Sequence, residues 1–121
     1  MVLDTNILIA YLGGDENVIS AINSWFAENL ALLISAVTYT EVLALREADN
    51  EDLTIMRTFL DSFVFIAVDK VIAEEAAAIK RTHKLKFPDA TIVATAIHTN
   101  SVLVTRDKRL HRIAHVTPLV I

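Results

Sequence analysis

Five short, nearly unbroken apolar runs set the tightest limit on what this chain can become. They are Val2-Leu3, Leu30 to Ile34, Phe63 to Ala67, Val102-Leu103-Val104 and Val116 to Ile121. Runs of that length without polar alternation are what strands covered on both faces present. Between them the apolar residues take helical spacing. Val18, Ile22, Trp25 and Phe26 form one stripe after a Gly13-Gly14-Asp15 turn, Leu53, Met56 and Leu60 a second, and Ile72, Ala76 and Ile79 a third in an alanine-rich stretch. Short buried strands alternating with helices predict βαβ units, a mainly parallel sheet and the α/β class. Ligands of such sheets bind at the carboxyl ends of the strands, so the residues after each run are where chemistry is expected.

With 121 residues and no internal repeat or linker, a single domain over residues 1–121 is expected. The longest apolar stretches, such as Ile7 to Leu12, fall far short of the roughly 18 residues a membrane helix needs. The first residues carry an acid at position 4 and no basic stretch of an export signal, and cysteine is absent, so the cytoplasm is the expected compartment. Lack of cysteine also excludes a disulfide framework and any thiolate metal site.

Charge is divided between the halves. Residues 1–61 hold ten acids against Arg46 and Arg57, whereas residues 62–121 hold five acids against nine bases. The basic excess gathers in Lys80 to Lys86 and Arg106 to Arg112, each able to face a polyanion or to lie solvated at a helix end.

Four acids sit where a core or a strand end should be. Asp4 closes the first strand and Asp107 follows the strand at Val102 to Val104. Asp89 follows Pro88 at a helix start and lies on the stripe of Ile92, Val93, Ala96 and Ile97, while Glu41 precedes Ala44, Leu45 and Ala48 in the same manner. Each has a structural alternative: Asp4 and Asp107 as helix caps, Asp89 as a partner of the helix dipole, and Thr38-Tyr39-Thr40-Glu41 as a capping box. Capping does not require several carboxylates on apolar stripes, and buried anions need protons or cations beside them. An all-oxygen donor set suits magnesium or manganese better than zinc. His83, His98, His111 and His115 show no ligand spacing and receive no catalytic role.

The ordered segments Asp4-Thr5-Asn6-Ile7-Leu8-Ile9, Thr40-Glu41-Val42, Phe87-Pro88-Asp89-Ala90-Thr91-Ile92-Val93-Ala94-Thr95-Ala96 and Leu103-Val104-Thr105-Arg106-Asp107 resemble the motifs of PIN-domain ribonucleases, most closely VapC-like toxins of toxin–antitoxin modules. The resemblance covers essentially the whole chain. It implies a three-layer α/β/α sandwich on a five-stranded parallel sheet in order 3-2-1-4-5, and endonucleolytic cleavage of RNA with Mg2+ or Mn2+. Carried over by motif, the catalytic and metal-holding acids are Asp4, Glu41, Asp89 and Asp107, with Asn6 and Thr105 in support. Asp4 and Asp89 are expected as direct ligands, and Thr105 as a hydrogen-bonding partner of Asp107. The sequence departs from the family in lacking an aromatic residue after Asp107.

Arg106, Lys108 and Arg109 flank Asp107, and Lys84 and Lys86 precede Asp89, which makes these five the expected RNA contacts. A hydrophobic content of 54% hints at surface covered by another chain, and the resemblance implies a homodimer held inactive by a cognate antitoxin. Two rival classes are a non-catalytic PIN-like RNA-binding module and a receiver-type phosphoacceptor domain. The latter wants an acidic pair after the first strand, where this chain has Asp4 followed by Thr5-Asn6.

Overall fold

The computed structural model describes residues 1–45 and 48–121. Five strands, β1 (Val2–Leu3), β2 (Leu33–Ser35), β3 (Val64–Ile66), β4 (Val102–Val104) and β5 (Thr117–Leu119), form one sheet in order β3-β2-β1-β4-β5. Every neighbouring pair is parallel. The described residues also form six α-helices, α1 (Thr5–Leu12), α2 (Glu16–Ala27), α3 (Ala36–Leu43), α4 (Asn50–Leu60), α5 (Lys70–His83) and α6 (Phe87–His98), and a 3-10 turn at Leu110–Arg112. None of the described helices is long and apolar enough to cross a membrane.

Alternation along the strands builds two cores from runs that are apolar throughout. Val2 and Leu103 point into a cluster with Ile72, Ala76 and Ile79 of α5 and Ile92 and Val93 of α6. Their neighbours Leu3 and Val104 point the other way, to Ile7 and Leu8 of α1, Val18 and Ile22 of α2, Val42 of α3 and Leu60 of α4. This is the expected three-layer arrangement. Helix α6 is buried without interruption from Ala90 to Ala96, so it tolerates only small and apolar residues there, with Thr91 and Thr95 satisfying their hydroxyls on the carbonyls of Phe87 and Thr91.

Local chemistry sets the helix starts. At the turn after α1, Gly14 takes φ 87°, a conformation costly for any other residue, and Asp15 then caps α2 by accepting from the amides of Asn17 and Val18. Asp49 and Asp52 form a reciprocal capping box on α4. Helix α3 differs from expectation. Ser35, at the end of β2, caps it by accepting from Val37, so Thr38 lies inside the helix and the capping box at Thr38 to Glu41, the structural alternative for Glu41, does not form. The helix ends at Leu43; its expected continuation to Ala48 passes Arg46 and Glu47, which lie outside the described residues.

The chain winds from β1 outward to β2 and β3, then returns to the other side of β1 for β4 and β5. The reversal puts the carboxyl ends of β1 and β4 side by side, the point at which a parallel sheet opens a crevice. Asp4 follows β1 and Thr105-Arg106-Asp107 follows β4.

Candidate active site

Asp4 occupies the elbow between β1 and α1, with its amide bonded to the Val104 carbonyl at 3.0 Å. Its position is that of a helix cap, yet its side chain caps nothing. Oδ2 instead accepts from Thr105 Oγ1 at 2.7 Å, and the same Oγ1 accepts from the Asp107 amide at 3.0 Å. One buried hydroxyl therefore fixes both acids, holding Asp107 through its backbone rather than its carboxylate. His111, which the sequence left without a role, lies with Nε2 3.0 Å from the Thr105 carbonyl and donates to it, since a carbonyl can only accept.

Glu41, half-buried on α3, accepts from Thr5 Oγ1 at 2.6 Å. Thr5 Oγ1 is also 3.1 Å from Thr38 Oγ1. A hydroxyl has one proton and a carboxylate can only accept, so Thr5 donates to Glu41 and Thr38 donates to Thr5. This relay orients Glu41 toward the first turn of α1, and no local sequence pattern points to it beyond a threonine beside Asp4. Asn6 is exposed on that same turn.

Asp89 lies in the first turn of α6, where Pro88 starts the helix without needing an amide partner. Its Oδ2 is 3.3 Å from Arg109 Nη2, and that same nitrogen is 2.6 Å from Asp107 Oδ2. Two carboxylates thus converge on one cationic atom. Burial, and then the charges of Asp89 and Asp107, push the Asp4 carboxyl above its ordinary range, with the Thr105 hydrogen bond opposing them. Arg109, by contrast, pulls the Asp107 carboxyl below its ordinary range.

The basic residues divide into engaged and free. Arg106 is held away from the acids by Asp15 Oδ2 at 2.8 Å and the Ile121 carbonyl at 2.8 Å. Arg109 is held on the acids themselves. Lys108 is exposed beside it; Lys84, at positive φ after α5, and Lys86, at the start of α6, are exposed on the approach to Asp89. An apolar groove of about 290 Å³, lined by Ala36, Val37, Thr40, Glu41, Val68, Phe87 and Pro88, opens next to Glu41.

The donors fit a hard divalent cation in chemistry: they are oxygens, and Asp89 and Asp107 already share a cation position. They do not yet enclose one. Among the described residues, no three carboxylate or imidazole groups stand close enough to hold an ion as they are. Magnesium takes oxygens at about 2.0–2.1 Å, so the guanidinium would have to leave and the acids draw together.

The sequence matches the PIN domain family over residues 1–116. Among solved structures, a chain of a toxin–antitoxin complex from Klebsiella pneumoniae is 32% identical, with a TM-score of 0.83 over 96% of this chain and 94% of that one. A chain of VapBC2 from Rickettsia felis, bound to a promoter DNA fragment, is 18% identical with a TM-score of 0.86 over 99% and 97%. DNA-bound VapBC from Salmonella typhimurium gives 19% and 0.84 over 98% and 96%. The last two share the fold. No curated protein matches the chain.

Proposed function

This chain belongs to the PIN domain family, and on that premise we propose that it is a metal-dependent endoribonuclease, the toxin of a toxin–antitoxin pair. The observation that carries the reading is the convergence of Asp89 and Asp107 on one cation position beside a buried Asp4. Asp4 and Asp89 would hold a Mg2+ or Mn2+ ion directly, with Glu41 and Asp107 completing its surroundings. When bound, the ion supplies Lewis acidity at the scissile phosphate and a nucleophile at neutral pH.

The protein's own groups do the rest. Thr105 fixes Asp4 against the Asp107 backbone, and the Thr5–Thr38 relay holds Glu41 in one orientation, so the carboxylates have only a short adjustment to make when the ion binds. Lys84, Lys86 and Lys108 offset the repulsion between the phosphate backbone and the acids. The expected products carry 5′-phosphate and 3′-hydroxyl ends.

A cognate antitoxin and a second copy of the chain are the proposed protein partners; toxin–antitoxin complexes among the structural neighbours support the first. Such a toxin would act in the cytoplasm, where its RNA is. The receiver reading falls on topology: receiver-type sheets run 2-1-3-4-5, and this one runs 3-2-1-4-5.

The proposal is tested with a randomised single-stranded pool made both as RNA and as DNA. With Mn2+ the purified protein is expected to cut the RNA internally and spare the DNA, to stop when chelator is added, and to resume when Mn2+ is restored. Cutting that persists in chelator, or that prefers DNA, would overturn it.

A further inference from the structure

We propose that Arg109 is a built-in counter-cation that competes with the divalent ion for Asp89 and Asp107, so that the site is closed by its own chain until the guanidinium moves. The inference rests on the metal-dependent reading above and assigns Arg109 a part beyond contacting RNA.

The geometry is that of an occupied cation site. Besides the Nη2 contacts at 2.6 and 3.3 Å, Arg109 Nε lies 3.1 and 3.2 Å from the two oxygens of Asp107, and the Arg109 amide donates to Asp107 Oδ1 at 3.0 Å. A fork gripping both oxygens of one carboxylate while touching a second is the arrangement in which arginine neutralises anions best. Asp89 and Asp107 both repel the buried Asp4, and Arg109 is the cation paired with the two of them. Arg106 is engaged elsewhere, by Asp15 and the Ile121 carbonyl.

The contact is also built to be reversible. The Arg109 side chain is 64% exposed, against 25% for Asp89 and 21% for Asp107, so the head group is freer to turn into water than the acids are. An exposed ion pair is weak enough for an ion gripping several oxygens to displace it. Because Arg109 is two residues from Asp107, the released guanidinium stays within reach of a phosphate brought to the site. One residue then has two positions, on the acids in the empty site and on the nucleic acid in the loaded one.

The two possible roles of Arg109 predict opposite signs. Mn2+ is titrated calorimetrically at low, fixed ionic strength into the wild-type protein, Arg109→Gln and Arg109→Lys, with thermal unfolding followed with and without Mn2+. Competition predicts that Arg109→Gln binds Mn2+ roughly fivefold more tightly. It also predicts that Arg109→Gln melts lower than wild type without metal and gains more from Mn2+, with Arg109→Lys in between. Unchanged affinity would overturn the inference, and so would weaker affinity, which would make Arg109 a positioning residue for Asp107. Failure of both the wild-type protein and Arg109→Gln to bind Mn2+ would instead overturn the metal-dependent reading itself.

Discussion

Asp4→Asn is expected to lower RNA cleavage by roughly 10³-fold while making the metal-free protein more stable at neutral pH. Loss of a proposed direct ligand would remove on the order of 4 kcal/mol of charge stabilisation in the transition state, and each 1.36 kcal/mol is about tenfold in rate. The stability gain follows from burial. Asp4 is 3% exposed and faces Asp89 and Asp107, and its carboxyl is raised above the ordinary 3.8. The native state therefore keeps this proton to higher pH than the unfolded chain does. Its contribution to stability is complete below the unfolded value and is lost as pH climbs through the raised native value. Asparagine keeps an oxygen for Thr105 and cannot ionise, so that loss disappears. Asp107 and Asp15 work in the opposite sense, lowered by Arg109 and Arg106, and weaken the fold only as pH falls below the ordinary carboxylate range. Thermal unfolding in chelator from pH 5 to 8 should show wild type losing ground to Asp4→Asn as pH rises. A variant less stable than wild type at pH 7, or one that still cuts RNA, would contradict this account of Asp4.

Leu3→Ala is expected to cost about 3 kcal/mol and to lower Tm by roughly 10 °C. Leu3 is fully buried in the central strand, in register with Val104 and packed against the α1–α2 layer. Truncation leaves a cavity that the flanking strands, fixed by their ladders, cannot close. Val64, in an equally apolar run, sits half exposed on the edge strand β3, and Val64→Ala should fall within about 0.5 kcal/mol of wild type. Chemical denaturation measures both. Equal costs would mean that the sheet order assigned here is wrong.

That contrast marks how far the sequence could be read. All five apolar runs contain a strand, but the run at Phe63 to Ala67 looked as deeply buried as the others, and only the strand order reveals β3 as an edge with Val64 and Phe65 half exposed. The run from Ile7 to Leu12 belongs to a helix with little polar patterning, because α1 is packed on most of its surface, and so it carried no periodic signal. At α3, Thr38 and Glu41 made a plausible capping box. The true cap, Ser35, was hidden in the preceding strand. The acids themselves were legible because carboxylates on apolar stripes are conspicuous. Their partners were not: Thr105 meets Asp4 across 101 residues, Arg106 meets Asp15 across 91 and Thr5 meets Glu41 across 36, separations at which no local pattern exists.

Asp4, Glu41, Asp89 and Asp107 are proposed to act together, with a divalent ion, on RNA. Mapping 5′ ends across a total cellular RNA pool tests it most directly, because a selective nuclease can ignore any single model substrate. The pool is treated with wild-type protein and with Asp89→Asn, each with Mn2+ and with chelator. Discrete new 5′-phosphate ends are expected with wild type and Mn2+ only. The same ends produced by Asp89→Asn, or no new ends from folded wild-type protein that binds Mn2+, would contradict it.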